Sequence, residues 1–262
     1  MRKAMLLLAV FAFVGVLWAQ TPFDGTWKID VKNIQFPEKP EVWVIQNGTY
    51  VCSTCDPKIN VKADGSDQPV RGSKAFDTLA VKIVDDKSVE MTRKKSGKVV
   101  GSEKSSVSAD GKTFSADIIE YPEASKQPVT IKATMIRVAA GPAGSHAFSG
   151  SWRIQKGSAA ASDNALTFTY KSSPNGLMVS SPTGESYDAK FDGKDYPIKG
   201  DPEGIRVSLT KVSERIVDET IKRDGKIVQI NHMTVSSDGK ALTVKSENKV
   251  QGTTTTYIAT KQ

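Results

Sequence analysis

The residues with the clearest chemistry are two cysteines, Cys52 and Cys55, the only cysteines in the chain. A zinc site would need two ligands besides the cysteines, and His146 and His232 are the only histidines in the chain. A redox-active Cys-x-x-Cys motif of the thioredoxin kind lies between a strand and a helix, whereas Asp56-Pro57 follows here without a helical pattern. We therefore predict a structural disulfide and no metal, with free thiols or a metal site as the alternatives.

The spacing of the two cysteines also predicts the local backbone. Residues three apart on a regular strand are separated by about 10 Å, at ~3.3 Å per residue. A disulfide joins Cα atoms that are about 4.4–6.8 Å apart. A bridge between Cys52 and Cys55 therefore requires a tight turn in place of a continuous strand.

The other side chains form no recognisable catalytic pattern. Neither His146 nor His232 lies in a triad motif, the sequence contains no Gly-x-Ser-x-Gly or phosphate-binding loop, and the carboxylates are scattered. We expect no catalytic residues and no cofactor. An enzyme built on the acidic residues stays open as a third class of function.

Residues 1–19 have the pattern of a signal peptide. Arg2 and Lys3 form a basic start, residues 4–17 form an apolar run, and Ala19 supplies a cleavage site. The run is shorter than the ~20 residues that a membrane-spanning helix needs. We expect a periplasmic or secreted protein with no stable membrane insertion after the leader is removed, in a compartment where disulfides persist.

The charge of the chain argues against nucleic acid as a partner. The formal net charge is +7, and removing the two basic leader residues leaves 34 basic against 29 acidic side chains. Lysines alternate with acidic residues, and the longest basic run is Arg93-Lys94-Lys95. A nucleic-acid site needs clustered positive charge, so we interpret these side chains as a solvated outer face.

The chain contains two copies of one sequence unit. Residues 108–112 match residues 236–240 at an offset of 128 positions. The segment 23–29, Phe-Asp-Gly-Thr-Trp-Lys-Ile, returns at 148–154 as Phe-Ser-Gly-Ser-Trp-Arg-Ile, at an offset of 125. Several matches at a nearly constant spacing indicate an internal duplication.

The duplication predicts two domains, residues 20–138 and residues 148–262. Between them, residues 139–147 are rich in Ala, Gly and Ser and contain a proline, as in a linker. The alternative is one larger barrel that contains both copies.

Each copy has the pattern of antiparallel β-structure. Apolar residues alternate along Leu79-Ala80-Val81-Lys82-Ile83, and Asn-Gly and Asp-Gly turn signals recur without a helical pattern between them. A meander of about eight strands must close or leave an edge exposed. We predict an all-β fold of two tandem, antiparallel, up-and-down barrels.

The Phe-x-Gly-x-Trp segment that opens each copy resembles the first strand of calycins, the group of lipocalins and fatty-acid-binding proteins. The resemblance implies lipocalin-like barrels in which Trp27 and Trp152 close one end, with Gly25 and Gly150 letting the chain cross beneath. It also implies a last-strand arginine over the tryptophan of its own copy. Arg137 fits in the first copy, whereas the second copy has Ala259 at that position, unless Lys261 replaces the arginine.

One pair of positions departs from the apolar pattern of the second copy. Lys211 and Glu219 occupy the places that Ile83 and Met91 hold in the first copy. We predict a polar pair inside the second barrel, where the cost of desolvating two charges would indicate function. The alternative is a shifted register that leaves both side chains in water.

Together these patterns favour an exported, non-catalytic protein over an enzyme. The expected function is to bind or carry a small, apolar ligand in one or both barrels. The alternative is a structural or protein-interaction module with filled barrel cores and no small-molecule ligand. The sequence indicates no particular protein partner.

Overall fold

A computed structural model describes residues 21–125 and 127–262 of the chain. The predicted signal peptide, residues 1–19, lies outside the described residues. The described part is an all-β structure with one short helix.

The strands of the first copy are β1 (Gly25–Ile29), β2 (Glu41–Gln46), β3 (Thr49–Cys52), β4 (Ile59–Lys62), β5 (Asp64–Pro69), β6 (Thr78–Ile83), β7 (Ser88–Lys95), β8 (Lys98–Val107), β9 (Thr113–Glu120) and β10 (Val129–Ala140). A single 3-10 turn, Val31–Asn33, follows β1.

The elements of the second copy are β11 (Gly150–Ile154), β12 (Ala160–Ala161), α1 (Asp163–Leu166), β13 (Thr167–Ser173), β14 (Gly176–Ser180), β15 (Ser186–Lys190), β16 (Tyr196–Pro197), β17 (Arg206–Ser213), β18 (Ile216–Arg223), β19 (Lys226–Val235), β20 (Ala241–Asn248) and β21 (Thr253–Lys261).

These strands form two nearly closed antiparallel barrels of ten strands each. In the first barrel the order is β4-β3-β2-β11-β10-β9-β8-β7-β6-β5, with β12 paired to the edge of β10. In the second barrel the order is β15-β14-β13-β1-β21-β20-β19-β18-β17-β16. The prediction of two tandem antiparallel barrels is confirmed, and one larger barrel is not formed.

The alternation of side chains decides which face of each strand lies inside. In β6 the side chains of Leu79 and Val81 are buried and Lys82 is exposed, as alternation predicts, whereas Ile83 at the end of the strand is 39% exposed. Tight turns join the strands, as at Asn47-Gly48, where both residues have positive φ (50° and 71°). Such a two-residue turn matches the twist of the strands that it joins.

The two copies exchange their opening strands. β1 pairs with β13 and β21, so the first strand of copy one belongs to the second barrel. β11 pairs with β10 and β2, so the first strand of copy two belongs to the first barrel. The expectation that Trp27 closes the barrel of its own copy is therefore wrong: Trp27 lies in the core of the second barrel and Trp152 in that of the first.

The segments that connect the strands give the physical reason for the exchange. Residues 30–40 follow β1 without a hairpin turn and include two prolines, and Gln35 bridges to Thr256 of the second barrel. The predicted linker, residues 139–147, lies between β10 and β11, which pair with each other in the first barrel. The chain thus passes between barrels at residues 30–40 and again after β12. The division into residues 20–138 and 148–262 stays a prediction, and the exchange of opening strands leads us to expect that neither half is stable alone.

Candidate functional site

One end of the first barrel is closed around Trp152. This side chain is fully buried, its Nε1 donates to the carbonyl of Phe148 at 3.0 Å, and its ring meets Phe114 edge-on at 4.7 Å. The guanidinium of Arg137 lies 3.9 Å from the Trp152 ring centre and donates to the carbonyls of Ser149 and Ala147, both at 2.6 Å. Arg137 and Trp152 therefore form the pair that the resemblance implied, but they come from different copies.

The second barrel is closed in the same manner by Trp27, which is fully buried and donates to the carbonyl of Phe23 at 2.8 Å. Ala259 leaves the arginine position empty, and Lys261 places its Nζ 4.9 Å from the Trp27 ring centre. The amine of Lys261 also donates to the carbonyl of Pro22 at 3.3 Å. Lys261 thus takes the place of the arginine in this barrel.

Gly25 and Gly150 allow neighbouring atoms to lie close to the backbone at these ends. At Gly150, with φ of 145°, an added Cβ would lie 2.5 Å from the carbonyl oxygen of Ala139. At Gly25, with φ of 132°, it would lie 3.2 Å from the side chain of Lys261. Both closed ends are thus filled by side chains and backbone.

Cys52 and Cys55 form a disulfide with a Cα–Cα distance of 5.5 Å. The bridge closes the turn that follows β3, so the predicted disulfide and the predicted interruption of the strand are confirmed. The turn contacts the second barrel, because Gln251 donates from Nε2 to the carbonyl of Thr54 at 3.1 Å and Asp56 is ion-paired with Arg223. The disulfide therefore shapes a loop at the junction of the barrels.

The predicted interior pair of Lys211 and Glu219 is not formed. Lys211 lies near the end of β17, next to a bulge, and its Nζ pairs with Glu214 at 2.7 Å on the surface. Its cross-strand neighbour is Val217, while Glu219 faces Leu209. Only Glu219 points into the barrel.

Glu219 belongs to a polar network inside the second barrel. The hydroxyl of Tyr187 and the amide Nδ2 of Asn231 donate to its two carboxylate oxygens, the latter at 2.6 Å. Burial raises the pKa of Glu219 above its usual value, although the two hydrogen bonds lower it. Burial and the nearby Glu219 charge hold the pKa of Tyr187 well above its usual value. The network thus gives each of the two carboxylate oxygens a donor within the protein.

The first barrel also has a carboxylate at this pair of strands, but on the other strand of the pair. Glu103 faces Met91 across β7 and β8, whereas in the second barrel Asn231 faces Glu219. Glu103 accepts a hydrogen bond from the hydroxyl of Ser105 at 2.6 Å, and burial raises its pKa. At this cross-strand pair each barrel therefore has a carboxylate, on opposite strands of the pair, which comparison of the two copies at offset 128 could have revealed.

A cleft of about 580 Å³, called the junction cleft here, lies between the two barrels. Strand β9 runs from Phe114, beside Trp152, to Glu120 in the cleft, so the cleft lies at the end of the first barrel opposite Trp152. Its lining residues from the first copy are Lys74, Ala75, Phe76, Arg93, Lys95, Val100, Glu120, Tyr121, Pro122, Glu123 and Ala124, and those from the second are Glu185, Gly200, Asp201 and Pro202.

Polar contacts hold the two sides of the junction cleft together. Glu203 accepts hydrogen bonds through Oε1 from the hydroxyl of Ser73 at 2.8 Å and from the backbone amides of Lys74 at 3.1 Å and Ala75 at 3.0 Å. Lys74 also pairs with Asp224 at 2.7 Å. Because both sides are anchored, the cleft is a preformed concavity.

The sequence patterns gave no signal for the junction cleft. None of its lining residues was predicted as a site residue, since they come from loops and strand ends on both copies. Across the described residues, no group of three or more His, Cys, Asp and Glu side chains is arranged to hold a metal. Within the same part of the chain, no helix is long and apolar enough to span a membrane.

Comparisons of this chain with protein-family models, with curated proteins and with solved structures found no match.

Proposed function

We propose that this chain is an exported, non-catalytic protein that binds a small, largely apolar ligand in the junction cleft. The observation that carries the proposal is the cleft's volume of about 580 Å³, which is within the usual range of about 300–1,000 Å³ for small-molecule sites. Phe76, Val100 and Tyr121 give it apolar walls. The position also supports the proposal, because the opposite end of the first barrel is closed by Trp152.

Export is part of the proposal and has two supports. Residues 1–19 have the composition of a signal peptide, and the disulfide between Cys52 and Cys55 is of a kind that persists outside the reducing cytoplasm. The resemblance to calycins, which bind ligands in a barrel with one closed end, points in the same direction. Here the ligand would lie at the barrel mouth and against the second barrel.

Titration with the neutral dye N-phenyl-1-naphthylamine tests the proposal, since its fluorescence rises in an apolar site. We expect saturable binding that Ala124→Trp, which adds a large ring to the lining of the cleft, weakens at least about tenfold. Ala109→Trp is the matched control, because Ala109 is exposed in the turn between β8 and β9. Equal binding by both variants, or no binding by the parent chain, would overturn the proposal.

A second candidate function is a structural or protein-interaction module. It is favoured by the packed interiors, where side chains such as Val81 and Val89 in the first barrel and Leu209 and Leu242 in the second are almost fully buried. Native mass spectrometry of protein purified from its own host separates the two. A co-purified small molecule supports the binding function, and a bound protein with no small molecule supports the module.

A further inference from the structure

We infer that the ligand of the junction cleft carries one anionic group, which pairs with the ammonium of Lys95. The inference rests on the proposed function and adds the chemical class of the ligand: a small organic anion with an apolar body. The charges and positions of the side chains that line the junction cleft support this inference.

Lys95 lies on the inward face of β7, two residues after Arg93, and its side chain is half-buried at the cleft. The side chain between them, Lys94, points to the other face and pairs with Asp67 at 2.7 Å. Within the described residues, the Lys95 ammonium has no carboxylate within ion-pairing distance. A half-buried ammonium that opens on the cleft is free to pair with an anionic group of a ligand, and such charge-assisted hydrogen bonds are stronger than neutral ones.

Most acidic side chains of the cleft already have donors. Glu120 is ion-paired with Arg93, and Glu185 accepts hydrogen bonds from the hydroxyls of Ser181 and Thr183. Asp201 accepts one from the backbone amide of Ile205 at 2.8 Å. Glu123 is exposed on the rim.

The remaining basic side chains are also engaged. Lys74 pairs with Asp224 at 2.7 Å, and Arg93 is committed to Glu120. Among the described residues that line the cleft, Lys95 is the half-buried charge left for a ligand to complement. A cationic ligand would have to displace an existing hydrogen bond to reach a carboxylate inside the cleft.

Two dyes with the same aromatic body test the inference. 1-Anilinonaphthalene-8-sulfonate carries a sulfonate, and N-phenyl-1-naphthylamine lacks it. We expect the parent chain to bind the sulfonate dye at least about tenfold more tightly. Lys95→Met, which keeps an unbranched apolar stem, should weaken the sulfonate dye at least about tenfold and change the neutral dye less than about twofold.

Lys98→Met is the matched control, because Lys98 faces Lys95 across the β7–β8 turn and is exposed. Lys98→Met removes one positive charge, as Lys95→Met does, and should leave the affinities for both dyes within about twofold of those of the parent chain. Lys95→Arg should restore most of the sulfonate affinity. Circular dichroism and thermal unfolding establish that each variant is folded.

The outcomes separate the two proposals. If the parent chain binds the neutral dye in the cleft but shows no preference for the sulfonate dye, the inference is wrong and the proposed function stands. If Lys98→Met lowers the sulfonate affinity as much as Lys95→Met does, the anion is held by overall charge and the inference is also wrong. If neither dye binds, both proposals fail.

Discussion

Substitution of Trp152 by alanine should destabilise the first barrel, although Trp152 belongs to the second copy. The side chain is fully buried, and truncation of a buried tryptophan costs about 3–5 kcal/mol. Its edge contact with Phe114 and the Arg137 guanidinium above its ring are part of that loss, at about 1 kcal/mol each. The Phe148 carbonyl keeps a donor, because Trp43 also donates to it from Nε1 at 3.0 Å, so no orphaned carbonyl adds to the cost.

Hydrogen exchange with mass spectrometry can locate the loss, combined with denaturant unfolding to measure its size. In Trp152→Ala, we expect faster exchange in β2 and β10, which flank β11, with little change in the second barrel. Met178→Ala is the control, because Met178 is 45% exposed and should cost less than about 1 kcal/mol. Faster exchange confined to β13 and β21, or a loss below about 1 kcal/mol, would refute the strand exchange.

Three further predictions follow from the barrels and their junction. Residues 20–138 and 148–262, produced separately, should be unstable alone and combine into a complex when mixed, because each barrel needs the opening strand of the other half. Size-exclusion chromatography with light scattering measures this association. Two stable halves that do not associate would contradict the prediction. The buried Glu219, whose pKa is raised, should contribute stability that is present near pH 4 and is lost as the pH rises through its folded-state pKa. Glu219→Gln should flatten that fall in the free energy of unfolding between pH 4 and pH 8, and an unchanged slope would show that Glu219 does not cause it. Replacing both Cys52 and Cys55 by serine should cost less than about 2 kcal/mol, because the bridge closes a very short loop, and a thiol reagent should find no free thiol in the denatured, unreduced parent chain.

The sequence could predict the barrels because strand alternation, turn residues and the duplication are local signals. Leu79 and Val81 lie inside as their spacing predicts, and the Cys52–Cys55 turn follows from the reach of an extended chain. The observed Cα–Cα distance of 5.5 Å is far shorter than a continuous strand would allow.

The exchange of opening strands could not be predicted from the motif that marks them. The segments around Trp27 and Trp152 are nearly the same, so either barrel can accommodate either strand. What decides the partner is the path of residues 30–40, which cross to the other barrel where a hairpin would have returned the chain. The motif predicts that a strand fits into a barrel of this kind. It does not predict which of two similar barrels the strand joins.

The error at Lys211 has a different physical origin. Strand alternation placed Lys211 on the same face as Leu209, and the ladder is regular as far as its pair with the buried Val217. Lys211 lies near the end of β17, however, and its long side chain reaches Glu214 at the surface. Periodicity predicts the face of a side chain but not whether that position of the barrel is covered. The junction cleft could not be predicted from the sequence either, because Lys95 and Asp201 come together only when the barrels associate.

The most direct test of the central claim is to locate a bound ligand by amide chemical shifts. Titration of the isotopically labelled chain with N-phenyl-1-naphthylamine should shift the amides of Phe76, Val100 and Tyr121 at the cleft, and leave those around Trp27 and Trp152 unchanged. Shifts concentrated at the amides of interior residues such as Val81 or Leu209, with none at the cleft, would contradict the account.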